Sequence, residues 1–234
     1  PLKVVGDALG DVPLTAAQRT QIEKLAADAE ARHADARAAH KDLMLAVAAQ
    51  VESGAIDRQA LKPKLDALTA AMVKVQPADR ASFEQLHALL SADQRTAFVD
   101  ALTARIGEHK EKLHGAHPLK QWAEDLKLTD AQRTQIRDAL HDRFRGMGHA
   151  QGGEMPWTVE HHDAKVLTAF KQDRFVMDEV APPKDLSDVA SKLSEHVLGL
   201  AETVLPLLTP EQRTLAASKI REKVNAGASL GQVF

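Results

Sequence analysis

LTAAQRTQI, residues 14–22, returns almost letter for letter as LTDAQRTQI, residues 128–136. The string encodes a helix start. The Thr15 side chain can accept the amide proton of Gln18, and the Gln18 side chain can reach back to the Thr15 backbone N–H, a reciprocal capping box. Four such starts are written in the chain: Leu14, Thr15 and Gln18; Leu90, Ser91 and Gln94; Leu128, Thr129 and Gln132; and Leu208, Thr209 and Gln212. The fourth adds Pro210 at the first helical position, where a missing amide proton costs nothing. Each Gln is followed by an arginine, Arg19, Arg95, Arg133 or Arg213, and then by a threonine. A cap alone does not require that arginine, so the repetition exceeds what helix initiation explains.

The first two motifs are 76 residues apart, Leu14 to Leu90, and the last two 80, Leu128 to Leu208. The matched spacing reads as an internal duplication, with repeats at 1–117 and 118–234 divided by HGAHP at 114–118, where Gly115 and Pro118 both oppose helix continuation. In the first half, Ile22, Leu25, Ala29, Ala36, Leu43, Val47 and Val51 recur at three- and four-residue intervals and predict one helix from Thr15 to about Glu52, stopped by Ser53-Gly54. A second helix is expected over about 57–76, a break at Pro77, a segment near 79–89, and a helix from Ser91 carrying Phe98, Leu102 and Ile106. The second half repeats the plan with a looser middle. Val166, Phe170 and Phe175 fall in helical register before Pro182-Pro183, and a last pair of helices covers about 186–205 and 209–224. No period-two pattern of useful length occurs. The expected fold is all-α, two helical hairpin repeats packed as an intramolecular pseudo-dimer.

Composition narrows function by exclusion. Aromatics are 3% against 44% hydrophobic overall, so the core is aliphatic and an aromatic-lined cofactor pocket is not expected. Up to residue 116 there are 15 basic and 16 acidic side chains, and 15 and 17 after it. Neither half offers the concentrated cationic field that neutralises phosphates, so no nucleic-acid partner is expected. No apolar run reaches the length of a membrane span. The absence of cysteine removes disulfides, thiolate catalysis and Cys-ligated zinc. A start at PLKVV, without an initiator Met, suits a processed or trimmed product.

Paired LTxxQ motifs, here LTAAQ with LSADQ and LTDAQ with LTPEQ, set some eighty residues apart in charged, Ala- and Leu-rich helix, resemble the Spy and CpxP family of periplasmic stress proteins of Gram-negative bacteria. The resemblance implies a helical hairpin that in the family pairs into a curved antiparallel dimer, holding unfolding client proteins without ATP. The family also includes an inhibitor of an envelope-stress sensor kinase and metal-responsive proteins that bind zinc, nickel or cobalt. Carried over to the four motif sets, the resemblance implies architecture rather than catalysis. Family chains usually carry one motif pair. This one carries two, so the expected state is a monomer.

No acid and base pair stands apart from the solvated charged faces, and GMGHAQGG at 146–153 lacks the lysine and preceding strand of a phosphate loop, so no enzyme activity is expected. Eleven histidines are generous for this length. His109, His114 and His117 gather near the linker beside Glu108 and Glu111, and His161 and His162 stand beside Glu160 and Asp163. Zinc or nickel accepts such donors, but no self-sufficient ligand spacing such as HExxH is present, and solvated helix-edge histidines are the simpler reading. The four motif arginines read as tethers from helix start to a neighbouring carboxylate, or as long stems covering apolar surface on a client-facing side. Met44, Met72, Met147, Met155 and Met177 read chiefly as core filling, and Trp122 and Trp157 as caps on the bundle. The preferred function is an ATP-independent holdase or related envelope-stress component. A metal-binding sensor acting through a protein partner is the rival, and a structural assembly protein the third reading.

Overall fold

A computed structural model of the chain describes residues 2–115, 118–146, 160–183 and 185–227. Among them every regular element is helical, with no strand. In chain order the helices are α1 (Leu2–Gly10), α2 (Ala16–Arg32), α3 (Ala34–Ser53), α4 (Arg58–Leu89), α5 (Ala92–Gly115), α6 (Pro118–Asp125), α7 (Asp130–Gly146), α8 (Glu160–Phe170), the short α9 (Met177–Val180), α10 (Leu186–Val204) and α11 (Pro210–Asn225), with one 3-10 turn at Leu205–Leu207.

Several elements depart from the pattern-based expectation, which includes neither α1 nor α6. The run expected from Thr15 to Glu52 is interrupted at His33, which closes α2 with its N–H shared between Ala29 O and Ala31 O. The break expected at Pro77 is absent, because α4 runs unbroken for 32 residues through it. Proline removes one N–H and crowds the carbonyl four residues back. That carbonyl belongs to Val73, on an exposed stretch where water can take the missing donor's place. Phe175, expected in register with a helix, lies in the turn between α8 and α9 instead.

The chain divides into two compact units, Pro1–Ala34 with Val73–Ala116 and Thr158–Lys184, and Asp35–Met72 with His117–Trp157 and Asp185–Phe234. This division in space does not follow the repeats at 1–117 and 118–234, because each core draws apolar side chains from both halves. In the first unit Ala8, Leu9 and Val12, Leu86 of α4, and Leu90, Phe98, Val99 and Leu102 meet Phe170 and Phe175. Phe98 and Phe170 are wholly buried. Their ring centroids lie 5.4 Å apart, and Phe83 sits 4.9 Å from Phe170, within the range of favourable tilted ring pairs. His87 is buried with them, stacked on Phe175. Its Nε2 lies 2.8 Å from Gln172 O, and since a carbonyl can only accept, that nitrogen carries the proton.

The second unit is aliphatic. Leu43, Val47 and Val51, with Met44 and Ala48 between them, form the buried stripe of α3, and Ala216, Ala217, Ile220 and Val224 form that of α11. Both stripes follow the spacing of one helix face. Leu61, Leu126, Leu128, Leu198, Leu205 and Leu208 fill between them, and Trp122 packs partly buried at the side, with Lys223 Nζ 5.2 Å from its ring centroid. Gly199 in α10 leaves room for the Arg143 guanidinium, which a Cβ there would meet at 1.5 Å. At the surface of this unit Arg58 holds Glu202 through two bonds, at 2.5 and 2.6 Å, and also reaches Glu195. The hydrogen bonds from Arg58 hold the Glu202 carboxyl below its usual range.

His40, on α3, has its Nε2 buried without a partner, and burial lowers its pKa from 6.5. The unfolded chain therefore takes up that proton more readily than the folded one, so stability falls as pH drops below 6.5. His196 is shifted the same way, by burial and by the Arg143 charge. Urea unfolding of the wild-type chain should show lower stability at pH 5.5 than at pH 7.5. His40→Gln, neutral throughout, should make that dependence shallower, and His40→Gln with His196→Gln shallower still.

Candidate functional site

All four LTxxQ boxes are formed. Thr15 N–H donates to Gln18 Oε1 at 3.0 Å while Gln18 N–H donates to Thr15 Oγ1 at 3.2 Å. The same reciprocal bonds join Ser91 to Gln94 at 2.9 and 3.3 Å, Thr129 to Gln132 at 3.1 and 3.2 Å, and Thr209 to Gln212 at 2.9 and 3.3 Å. Each box supplies two of the helix-start N–H groups with acceptors.

The glutamines then do something a capping box does not require. Gln18 Nε2 donates to Gln94 Oε1 at 2.7 Å, and Gln94 Nε2 donates back to Gln18 Oε1 at 3.0 Å, so the two side-chain amides close a ring. The remaining proton on each nitrogen crosses to the chain ahead of the other box: Gln18 Nε2 to Leu89 O and Gln94 Nε2 to Pro13 O, each at 2.7 Å. The second unit repeats the figure. Gln132 and Gln212 exchange amide bonds at 2.8 and 3.1 Å, and their other protons go to Leu207 O at 2.9 Å and Leu126 O at 3.2 Å. An amide side chain has two donors and two acceptor lone pairs. In this arrangement all four are in use on every motif glutamine, and the orientation of each amide is set, since a flip would face N–H against N–H at the cap.

The motif leucines seal the ring from the apolar side. Leu90, Leu128 and Leu208 are buried, and Leu14 packs half-buried against the first core. The motif arginines divide by position. Arg19 and Arg133 are exposed, and Arg133 Nε donates to Leu128 O at 3.1 Å. The second arginine of each pair instead reaches a turn contributed by the other half of the sequence. Arg95 is buried, donates to Leu90 O at 3.2 Å and pairs with Asp173 at 2.6 Å in the turn after α8. Arg213 lies against Gly54 in the turn after α3, where a Cβ would stand 2.1 Å from its Nη1. Gly54 has φ +86°, in the left-handed region that favours glycine. The tether to a carboxylate expected of all four arginines is thus made by Arg95. Gly54 was legible as a helix stop, but nothing in the spacing tied it to Arg213, nor Gln172 or Asp173 to the motifs, from which they lie far along the chain.

The polar groups of the motif Thr, Ser91 and Gln side chains bond to one another and to backbone, while Arg95 also reaches the Asp173 carboxylate. Of the candidate metal ligands, His117 lies outside the described residues, as do the side chains of His109, His114, His161 and His162. Among the described residues no group of three His, Asp or Glu side chains could hold a metal ion. Met44 is buried, Met72 is exposed and Met177 packs at the edge of the first core; Met147, Met155 and Trp157 lie outside the described residues.

Residues 5–102 match the model of a family described as LTXXQ motif family protein. The match spans both motifs of the first pair, so the resemblance read from LTAAQ and LSADQ is borne out over that stretch. The pair at Leu128 and Leu208 lies beyond it. Neither the curated proteins nor the solved structures contain a match to the chain.

A capping box accepts Glu as readily as Gln, whereas the amide ring needs both donors of each side chain. Gln94→Glu should therefore keep its cap yet lose about 2 kcal/mol of stability, since a carboxylate would face Gln18 Oε1 and Pro13 O with no proton to offer. Urea unfolding at pH 7 checks this, and an unchanged midpoint would reduce the ring to ordinary capping. At the turns, Gly54→Ala should cost about 1–2 kcal/mol for its positive φ, plus the displacement of Arg213. The second part should vanish in an Arg213→Ala background, measured by the same unfolding cycle.

Proposed function

We propose that this protein is an ATP-independent periplasmic holdase, binding unfolding proteins weakly on its helical surface and doing no chemistry of its own. The observation that carries the reading is the LTXXQ family match over residues 5–102, a family associated with periplasmic, stress-related helical proteins. The paired boxes support it indirectly. Because their hydrogen-bonding capacity is consumed internally, the motif serves as scaffold, and recognition is left to the outer faces of the helices.

Those faces mix charge with apolar contact. Met72, Val73, Val189 and Leu215 are large apolar side chains left exposed, and helical faces also carry ion pairs such as Lys62–Asp66 and Lys192–Asp188 that sit in water. Exposed pairs of this kind are worth only about 0–1 kcal/mol each, so they can be exchanged for a client's charges at little cost. Scattered apolar contacts and exchangeable charges suit many partly folded clients and specify none. In this reading the two halves of the chain act as each other's partner and the protein works as a monomer. No helix among the described residues is long and apolar enough to cross a membrane.

The test is light scattering of a reduced or heat-unfolded reporter, with and without a modest molar excess of this protein and with no nucleotide. We expect suppressed aggregation, weakened by Met72→Ser with Val73→Ser while the far-ultraviolet circular dichroism stays unchanged. Unaltered aggregation of several reporters would overturn the proposal. Tight, saturable zinc or nickel uptake by that same inactive protein, followed by calorimetry, would then favour the metal-sensing role.

A further inference from the structure

The first hairpin carries a helix irregularity on each of its two limbs, and one carboxylate joins them. On the outgoing limb, α2 ends at His33, whose backbone stands at φ −81° and ψ 2° before α3 resumes at Ala34. On the returning limb, Pro77 sits inside α4, leaving Val73 O without the donor that any other residue at 77 would supply. Asp79, two residues past the proline, receives both ends of the break: its Oδ2 lies 2.7 Å from His33 Nε2 and its Oδ1 accepts from Arg32 Nη2 at 3.1 Å. Arg32 Nη2 also donates to Ser82 Oγ at 2.9 Å. The three side chains are partly shielded, 24–36% exposed, more so than the solvated Lys24–Asp28 and Lys62–Asp66 pairs of α2 and α4. The division between the compact units crosses the two limbs close by, after Ala34 and after Met72.

Long helices bend sharply at prolines and at interrupted hydrogen-bond ladders. Two such points, with His33 bonded to a carboxylate two residues past the proline, give the hairpin one place where both limbs can bend. We propose that His33 and Pro77 form a hinge in the first hairpin, and that Asp79 is the clasp that holds it closed. Opening breaks the Asp79 bonds to His33 and Arg32 while one limb flexes at the interruption between α2 and α3 and the other at the donor missing from Pro77. This device is independent of what the protein binds.

Amide hydrogen exchange on the full chain, read by mass spectrometry, tests it. In the wild type, peptides over 33–38 and 72–78 should exchange faster than those over 42–51 and 84–89. Asp79→Asn keeps the shape of the side chain but removes its charge, and should speed exchange in the first two segments together by about fivefold while leaving both cores protected. Pro77→Ala restores a donor to Val73 O and should slow exchange over 72–78. Uniform exchange along both limbs of the wild type, an Asp79→Asn effect confined to one limb or spread through the cores, or no slowing with Pro77→Ala would each overturn the hinge.

Discussion

The structure turns on a ring of two glutamine amides, made once in each compact unit. A side-chain amide placed between helix ends is costly unless both of its protons and both of its lone pairs are met. Gln18 and Gln94 meet that condition only together: each takes its cap's N–H on oxygen, gives one proton to the other glutamine, and gives the last to a backbone carbonyl just before the other's helix. Moving either helix by a few ångströms would strand several of these groups at once. The ring therefore fixes where two helices start relative to each other, and the long limbs between them must span the distance the ring allows.

Around each ring the packing follows from the same constraint. The starts of α2 and α5, or of α7 and α11, are brought together at one point, and the motif leucines Leu90, Leu128 and Leu208 belong to the buried clusters beside them. The first grows aromatic, with Phe98 and Phe170 at its centre and the His87 proton spent on Gln172 O. The second grows from the aliphatic stripes of α3 and α11. Arg95 and Arg213 then tie each ring to a turn that arrives from the other half of the sequence, one through the Asp173 carboxylate and one by lying across a glycine with no Cβ to displace it. The result is a molecule whose most distinctive residues are consumed in holding it together, with its surface left for any recognition.

Much of this was legible from nine residues. The capping box has a local mechanism, since Thr15 and Gln18 are a turn apart whatever the rest of the chain does, and the four boxes and the helical class could be read directly. The failures were of two kinds. Helix continuity depends on packing as well as propensity: α4 continues through Pro77, while α2 closes at His33, a residue with no intrinsic reason to stop. Phe175 was placed in a helix by its spacing from Phe170, but the turn between them brings both rings to His87.

What the sequence determined by itself is the set of local commitments: where the four boxed helices begin, which faces are apolar, and the absence of cysteine chemistry or a cationic field. These depend on neighbours within a turn or on composition, and no tertiary arrangement can undo them. Only the tertiary structure decided which glutamine meets which, that Arg95 and Arg213 reach across to distant turns while Arg19 does not, and that the compact units take segments from both halves. Those outcomes rest on contacts between residues far apart in the chain, 76 and 80 positions in the glutamine pairs and 78 between Arg95 and Asp173. Spacing along the chain carries no trace of such pairings, because they exist only once the limbs between them have been folded to a definite length.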